Sequence, residues 1–171
     1  CCVTGVELDH GAHFAALENI RANSLEARMT SICADLRKVN QLLPAGSFSC
    51  CISNPPYFSG GPASAQNPTA RREDCCTPED LFRAAAWALQ FGGDFYVVHK
   101  PEKLAQLCAC ATNAGLEPKR LRLIRHRTDG PVILILLQCR KGGKPGLVWE
   151  ENCLQDTDGI PTAYYRNIYH L

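Results

Sequence analysis

The stretch Phe48-Ser49-Cys50-Cys51-Ile52-Ser53-Asn54-Pro55-Pro56-Tyr57 decides how the rest of the chain is read. Its first six residues are apolar or small and uncharged, the composition of a buried strand. Two prolines then end it, because proline has no N–H to give to a sheet ladder. A polar Asn54 therefore stands at the C-terminal end of a strand and is followed by a stiff turn. Open α/β sheets place their ligands at such strand ends.

Working upstream, Cys2 to Leu8 reads as a short buried strand and His13 to Leu25 as a helix, with Leu17 and Ile20 at helical spacing. Met29 to Cys33 reads as a second strand, and Leu36 to Leu43 as a short helix ended by Pro44. Working downstream, Phe58 to Cys76 is rich in Gly, Pro, Ser, Asn and Arg with no hydrophobic period, which predicts a long loop of the kind kept for function. Thr77-Pro78-Glu79-Asp80 is a helix start: a capping threonine, proline at the first position and acids in the first turn. That helix is expected to reach Phe91 and close at Gly92-Gly93. A strand over Phe95 to His99 and a helix from Pro101 to Asn113 follow, the latter ending at Gly115. The runs Arg120 to Arg125 and Val132 to Cys139 flank a Thr128-Asp129-Gly130 turn and predict an antiparallel hairpin. A last strand near Leu147 to Glu150 and a short helix from Thr162 complete the pattern. Alternating strands and helices closed by a hairpin imply an α/β sheet with helices on both faces.

The 171 residues, 46% hydrophobic and 20% charged, are the composition of one globular domain with a real core. No apolar run approaches the ~20 residues of a membrane-spanning helix, and the N-terminus lacks the order of a secretory signal. A cytoplasmic protein is expected. The 11 cysteines include adjacent pairs at Cys1-Cys2, Cys50-Cys51 and Cys75-Cys76 and no CxxC spacing, which argues against zinc. Cys50 and Cys51 read as small apolar strand residues pointing to opposite faces, and Cys75 or Cys76 as the place for a loop thiol. Net charge is +1, but residues 81–146 carry 11 Lys/Arg against 4 Asp/Glu, while residues 147–171 carry 1 against 4. The basic block suggests a surface that faces a polyanion.

Asn-Pro-Pro-Tyr after an apolar strand resembles motif IV of the class I methyltransferases that modify exocyclic or amide nitrogens. Around it, Asn67 to Arg72, Val98-His99-Lys100-Pro101-Glu102-Lys103-Leu104, Gly115 to Leu121 and Lys141-Gly142-Gly143-Lys144-Pro145-Gly146 are similar to the bacterial tRNA1(Val) adenine-N6 methyltransferase family. The resemblance implies a Rossmann-like class I methyltransferase sheet, with S-adenosyl-L-methionine as cofactor and, as methyl acceptor, the N6 of an adenine in RNA, in tRNA near the anticodon. It also implies catalytic roles for Asn54, Pro55, Pro56 and Tyr57. The Asn54 side-chain oxygen and the Pro55 carbonyl both accept from one NH2 group, and Tyr57 stacks on the base. Cofactor contacts fall to Asn54, to Glu7 on the ribose hydroxyls and to Asp35, at the motif III position, on the adenine amino group. Glu7 is preferred to Asp9. RNA contacts fall to Arg71 and Arg72 in the loop and to Lys119, Arg120 and Arg122 near the hairpin. His99 reads as structural.

The chain departs from the family at its start. It opens on what is the family's second strand, with no Gly-rich loop, and its only methionine is Met29. A single methyltransferase domain over residues 1–171, incomplete at its N-terminus and weak in cofactor binding by itself, is therefore expected. A glutamine-N5 methyltransferase of release factors and a non-catalytic RNA-binding module of the same fold stand as alternatives.

Overall fold

A computed structural model describes residues 1–55 and 76–171. Two groups of strands carry the chain. The first is a parallel pair, β1 (Val3–Glu7) and β2 (Met29–Cys33), joined by helix α1 (His10–Ala22). The second is a five-stranded sheet built from β3 (Phe48–Ser53), β4 (Leu89–His99), β5 (Leu116–Arg127), β6 (Val132–Lys141) and β7 (Val148–Gln155), in the order β3-β4-β6-β5-β7. β6 runs antiparallel to both neighbours, while β3–β4 and β5–β7 are parallel. Among the described residues, β1 and β3 each pair with a strand on one side only.

The helices follow from local signals. Asp9 caps α1 by accepting from the Ala12 N–H at 2.8 Å, so the helix begins at His10, three residues before the expected His13. Helix α2 (Val39–Leu42) follows a 3-10 turn over Leu36–Lys38, so the expected short helix is split. Helix α3 (Pro78–Ala88) opens with a full capping box, Thr77 and Asp80 satisfying each other's backbone N–H. It stops at Ala88, before the expected Phe91, because Leu89 is already extended and pairs with Phe48. Lys141 fixes that end from across the sheet, donating through Nζ to the Ala86 and Leu89 carbonyls at 2.6 and 2.7 Å. Helix α4 (Leu104–Asn113) and the C-terminal α5 (Ala163–Tyr169) complete the set.

Strict alternation along the strands makes the core. Phe95, Val97, Ile135, Leu137, Cys139 and Leu121 point to one face and pack with Leu81, Phe82, Leu107 and Ala111 of α3 and α4. The intervening residues, Tyr96, Leu136, Arg140 and Arg120, point to the other face and are exposed. Helix α5 covers part of that second face, where the Tyr164 ring lies 5.7 Å from the Arg122 guanidinium. Helices therefore flank both faces of the α/β sheet, and the antiparallel hairpin β5–β6 stands as expected, with both strands longer than the apolar runs. Cys50 is exposed and Cys51 half-buried against the core, the opposed placement that adjacent strand residues require. No disulfide joins two described cysteines, and no metal-holding cluster occurs among the described residues. No described helix is long and apolar enough to cross a membrane.

Candidate active site

The C-terminal ends of β1, β2 and β3 lead to acidic or amide side chains: Glu7, Asp35 and Asn54. Glu7 closes β1, and its Oε1 accepts the Asp9 N–H at 2.9 Å. The turn after β1 thus ties down one carboxylate oxygen. Asp9, the alternative acid, spends its carboxylate on the α1 cap, which separates the roles of the two residues. Asp35 lies two residues past β2 and repeats the device, its Oδ1 accepting the Arg37 N–H at 2.9 Å. β1 and β2 are in register with Glu7 opposite Cys33, so both carboxylates stand at the same end of the strand pair.

The two carboxylates differ in one respect. The Arg37 guanidinium folds back on Asp35, Nε donating at 3.0 and 2.9 Å to the two oxygens and Nη2 at 2.6 Å to Oδ2. These charge-assisted bonds hold the Asp35 carboxyl below the usual carboxylate range, so it stays ionised. Glu7 has no ion pair among the described residues. The role of Arg37 was not read from the sequence. Its signal was an arginine two residues after an acid that opens a turn, where the backbone and side chain of one residue can reach the same carboxylate.

Asn54 follows β3 directly and lines a groove of about 880 Å³ on the sheet face opposite α3 and α4, together with Ile52, Tyr96, Arg122, Leu136 and Gln138. Pro55 is half-buried behind it. Pro56, Tyr57, Arg71 and Arg72 lie outside the described residues, as does Cys75. The register Ser53 to Val97 places the strand-end motif beside His99 of β4, which is 1% exposed. Its Nδ1 accepts the Lys100 N–H at 2.8 Å, so in the neutral ring the proton sits on Nε2.

The expected RNA-facing cations do not stand alone. Glu150 of β7 accepts from Arg120 at 3.2 Å and from Arg122 at 2.8 Å, and Glu151 accepts from Arg125 at 3.4 Å. Lys119 donates to the Lys144 carbonyl at 2.9 Å. The parallel pairing of β5 with β7 lays the acidic C-terminal segment against the basic block, so charges that are segregated in the sequence are paired in space.

The strand order β3-β4-β6-β5-β7 and the single antiparallel β6 define a Rossmann-like class I methyltransferase fold. Solved structures agree. The crystal structure of a predicted O-methyltransferase from Agrobacterium tumefaciens matches with a TM-score of 0.79 at 20% identity, covering 98% of this chain and 76% of that one. Geranyl diphosphate C-methyltransferase from Streptomyces coelicolor A3(2), solved with S-adenosyl-L-homocysteine, matches with a TM-score of 0.56 at 12% identity, over 81% of this chain and 62% of that one. No family model matches the chain.

Within that class the chain is a homologue of proteins named tRNA1(Val) (adenine(37)-N6)-methyltransferase. It is 34% identical over 160 residues to the one from Tolumonas auensis, covering 91% of this chain and 65% of the relative. It is 30% identical over 132 residues to the one from Bacteroides fragilis, covering 75% of this chain and 55% of the relative. The chain thus spans between about half and two thirds of the length of these relatives.

Proposed function

We propose that the protein transfers a methyl group from S-adenosyl-L-methionine to the N6 of an adenine in RNA, the substrate being a tRNA and the base one beside the anticodon, in the cytoplasm. The observation that carries the reading is Asn54 directly after β3, lining an open groove, in a chain that also ends β1 and follows β2 with backbone-anchored carboxylates. The names of the homologues support the choice of adenine and of tRNA.

The carboxylates fit the adenosine half of the cofactor. Glu7, with one oxygen held by the Asp9 amide and the other open, suits a pair of ribose hydroxyls. Asp35, held ionised by Arg37, is an acceptor of the kind an adenine amino group takes once the exposed guanidinium shifts from it. When bound, the cofactor supplies an electrophilic methyl on sulfur. The residues of this chain do the rest. An adenine amino nitrogen is a weak nucleophile because its lone pair is delocalised into the ring. Asn54 Oδ1 and the Pro55 carbonyl, as two acceptors on its hydrogens, favour the tetrahedral nitrogen that develops during attack. The proline pair keeps these acceptors from moving as the charge develops. Tyr57 offers a face on which the extruded base stacks. Arg71, Arg72, Lys119, Arg120 and Arg122 supply cations for the phosphates.

The test is incubation of the full-length protein with isotopically labelled S-adenosyl-L-methionine and either unmodified tRNA or release factor, followed by mass spectrometry of both. N6-methyladenosine in the tRNA is the expected product. Label on a release-factor glutamine moves the assignment to amide methylation, and label in neither removes the catalytic reading for these substrates.

A further inference from the structure

Four arginines of β5 are engaged by the C-terminal segment 147–171. Glu150 accepts from Arg120 and Arg122 at 3.2 and 2.8 Å, Glu151 from Arg125 at 3.4 Å, and the Thr157 carbonyl from Arg127. The Tyr164 ring of α5 lies over the Arg122 guanidinium. Yet no residue from 147 to 171 belongs to the buried core, whose last member along the chain is Cys139. Asn152 of β7 even keeps a buried Oδ1 without a hydrogen-bond partner, a cost of docking. What holds β7 on β5 is one parallel ladder, from Arg120–Val148 to Arg127–Gln155, and partly exposed ion pairs that salt screens. An element with few buried apolar contacts opens at a lower cost than the core does.

We infer that residues 147–171 form a displaceable anionic strap, which holds the β5 arginines as an RNA backbone would and leaves β5 when RNA binds. This rests on the reading of Arg120 and Arg122 as RNA contacts. Carboxylates and phosphates engage a guanidinium through the same fork of N–H groups, so Glu150 and a phosphate compete for the same donors. Arg122 is enclosed by Glu150 at its edge and by Tyr164 at its face, both from the strap, so the turn of one side chain does not free it. Arg120 and Arg122 also line the groove that reaches Asn54, which puts the strap at the end of the groove away from the proposed catalytic residue. β3 and β5 are three strand spacings apart, roughly 14 Å, so the phosphates taken up there lie further along the RNA than the target base.

The experiment follows hydrogen–deuterium exchange of the full-length protein with and without unmodified tRNA, at low and at high ionic strength. Without tRNA, the β7 amides should exchange at least about tenfold faster than those of β4 and β6, and faster again at high ionic strength. Adding tRNA at low ionic strength should raise β7 exchange further. A reversible lock tests the same point: Arg125 and Cys153 are register partners, so in Arg125→Cys a disulfide to Cys153 ties the strap to β5. The oxidised variant should bind tRNA about tenfold more weakly than the same variant reduced, with wild type taken through the same oxidation as control. Equal affinity of the two forms, or β7 exchange that does not rise with tRNA, overturns the inference, because RNA then binds with the strap in place. β7 exchange as slow as that of β4 overturns it too. If wild type binds no tRNA while β7 still opens with salt, the RNA reading fails, and the inference falls with it for want of a competitor.

Discussion

The Arg122 guanidinium donates through Nε and Nη2 to one oxygen of Glu150, at 3.2 and 2.8 Å, while the other oxygen of Glu150 takes Nη1 of Arg120 at 3.2 Å. One acid thus occupies both hairpin arginines assigned to RNA. Replacing it with Glu150→Gln should release two cations to meet phosphates. The log–log salt dependence of tRNA binding, followed by fluorescence anisotropy, should then steepen by about 1 to 2. Stability should change by less than about 1 kcal/mol, because these ion pairs are partly exposed. An unchanged salt slope means that Arg120 and Arg122 do not reach RNA.

Asn54→Ala removes an acceptor whose partner hydrogens are polarised mainly as the nitrogen attacks. Turnover should fall about 10²- to 10³-fold, by analogy with the loss of one preorganised hydrogen-bonding group at a developing charge. Affinity for S-adenosylhomocysteine should fall far less than turnover does, since the residues proposed for the adenosine half, Glu7 and Asp35, are untouched. Asn54→Asp, which keeps an acceptor oxygen, should lose less than alanine does. Single-turnover methylation beside calorimetric binding separates these effects, and equal turnover in Asn54→Ala would refute the assigned role.

What could be read from the sequence had local causes. The Thr77 capping box, the β3 run stopped by prolines and the β6 run are set by residues within a few positions of one another, and each stands where the pattern placed it, whereas β4 begins at Leu89, six residues before the expected Phe95. The end of α3 did not. The signal Gly92-Gly93 pointed to a helix reaching Phe91, yet Lys141, more than 50 residues away, closes the helix at Ala88 by occupying its last carbonyls. Phe91 instead lies over Gly142, where an added Cβ would meet its ring at 2.0 Å. The pairing of the basic block with the acidic segment was hidden for the same reason. Nothing local joins Arg122 to Glu150; only the parallel docking of β7 on β5 does. In the candidate site, the acids at the strand ends were legible, whereas the spacing of Arg37 from Asp35 only permits the grip, which depends on the side-chain rotamer.

The Phe82 and Phe95 rings meet edge to face, centroids 5.1 Å apart, and both are buried beneath α3 where it covers β4. This contact sets the height of the helix above the strand next to β3. Phe82→Ala should cost about 3–5 kcal/mol, from lost burial and from the cavity that remains. Phe82→Leu should cost less, because most of the volume is kept. Urea unfolding at neutral pH measures both, and a loss below about 1 kcal/mol for the alanine variant would mean that α3 settles into the space.

The buried thiols predict how stability responds to alkali. Loss of solvation pushes Cys139 up to about 12 and Cys51 up to about 11 from an ordinary value near 9, and burial with the neighbouring Glu79 carboxylate pushes Cys110 up to about 11. Between the ordinary value and these raised ones, the native state keeps protons that the unfolded chain has lost. Unfolding then releases protons, so stability is complete below about pH 9 and declines as pH rises towards 12. Lysines and tyrosines titrate in the same range, but they are common to wild type and to a Cys139→Ala variant. The stability difference between the two, from urea midpoints at pH 8, 9.5 and 11, should therefore narrow as pH rises. A difference that stays constant would mean that the Cys139 thiol ionises as readily in the folded protein as in the unfolded one. Alkylation by iodoacetamide at pH 8 checks the same placement chemically: the exposed Cys1 and Cys2 should react first, and Cys110 and Cys139 only once denaturant opens the core.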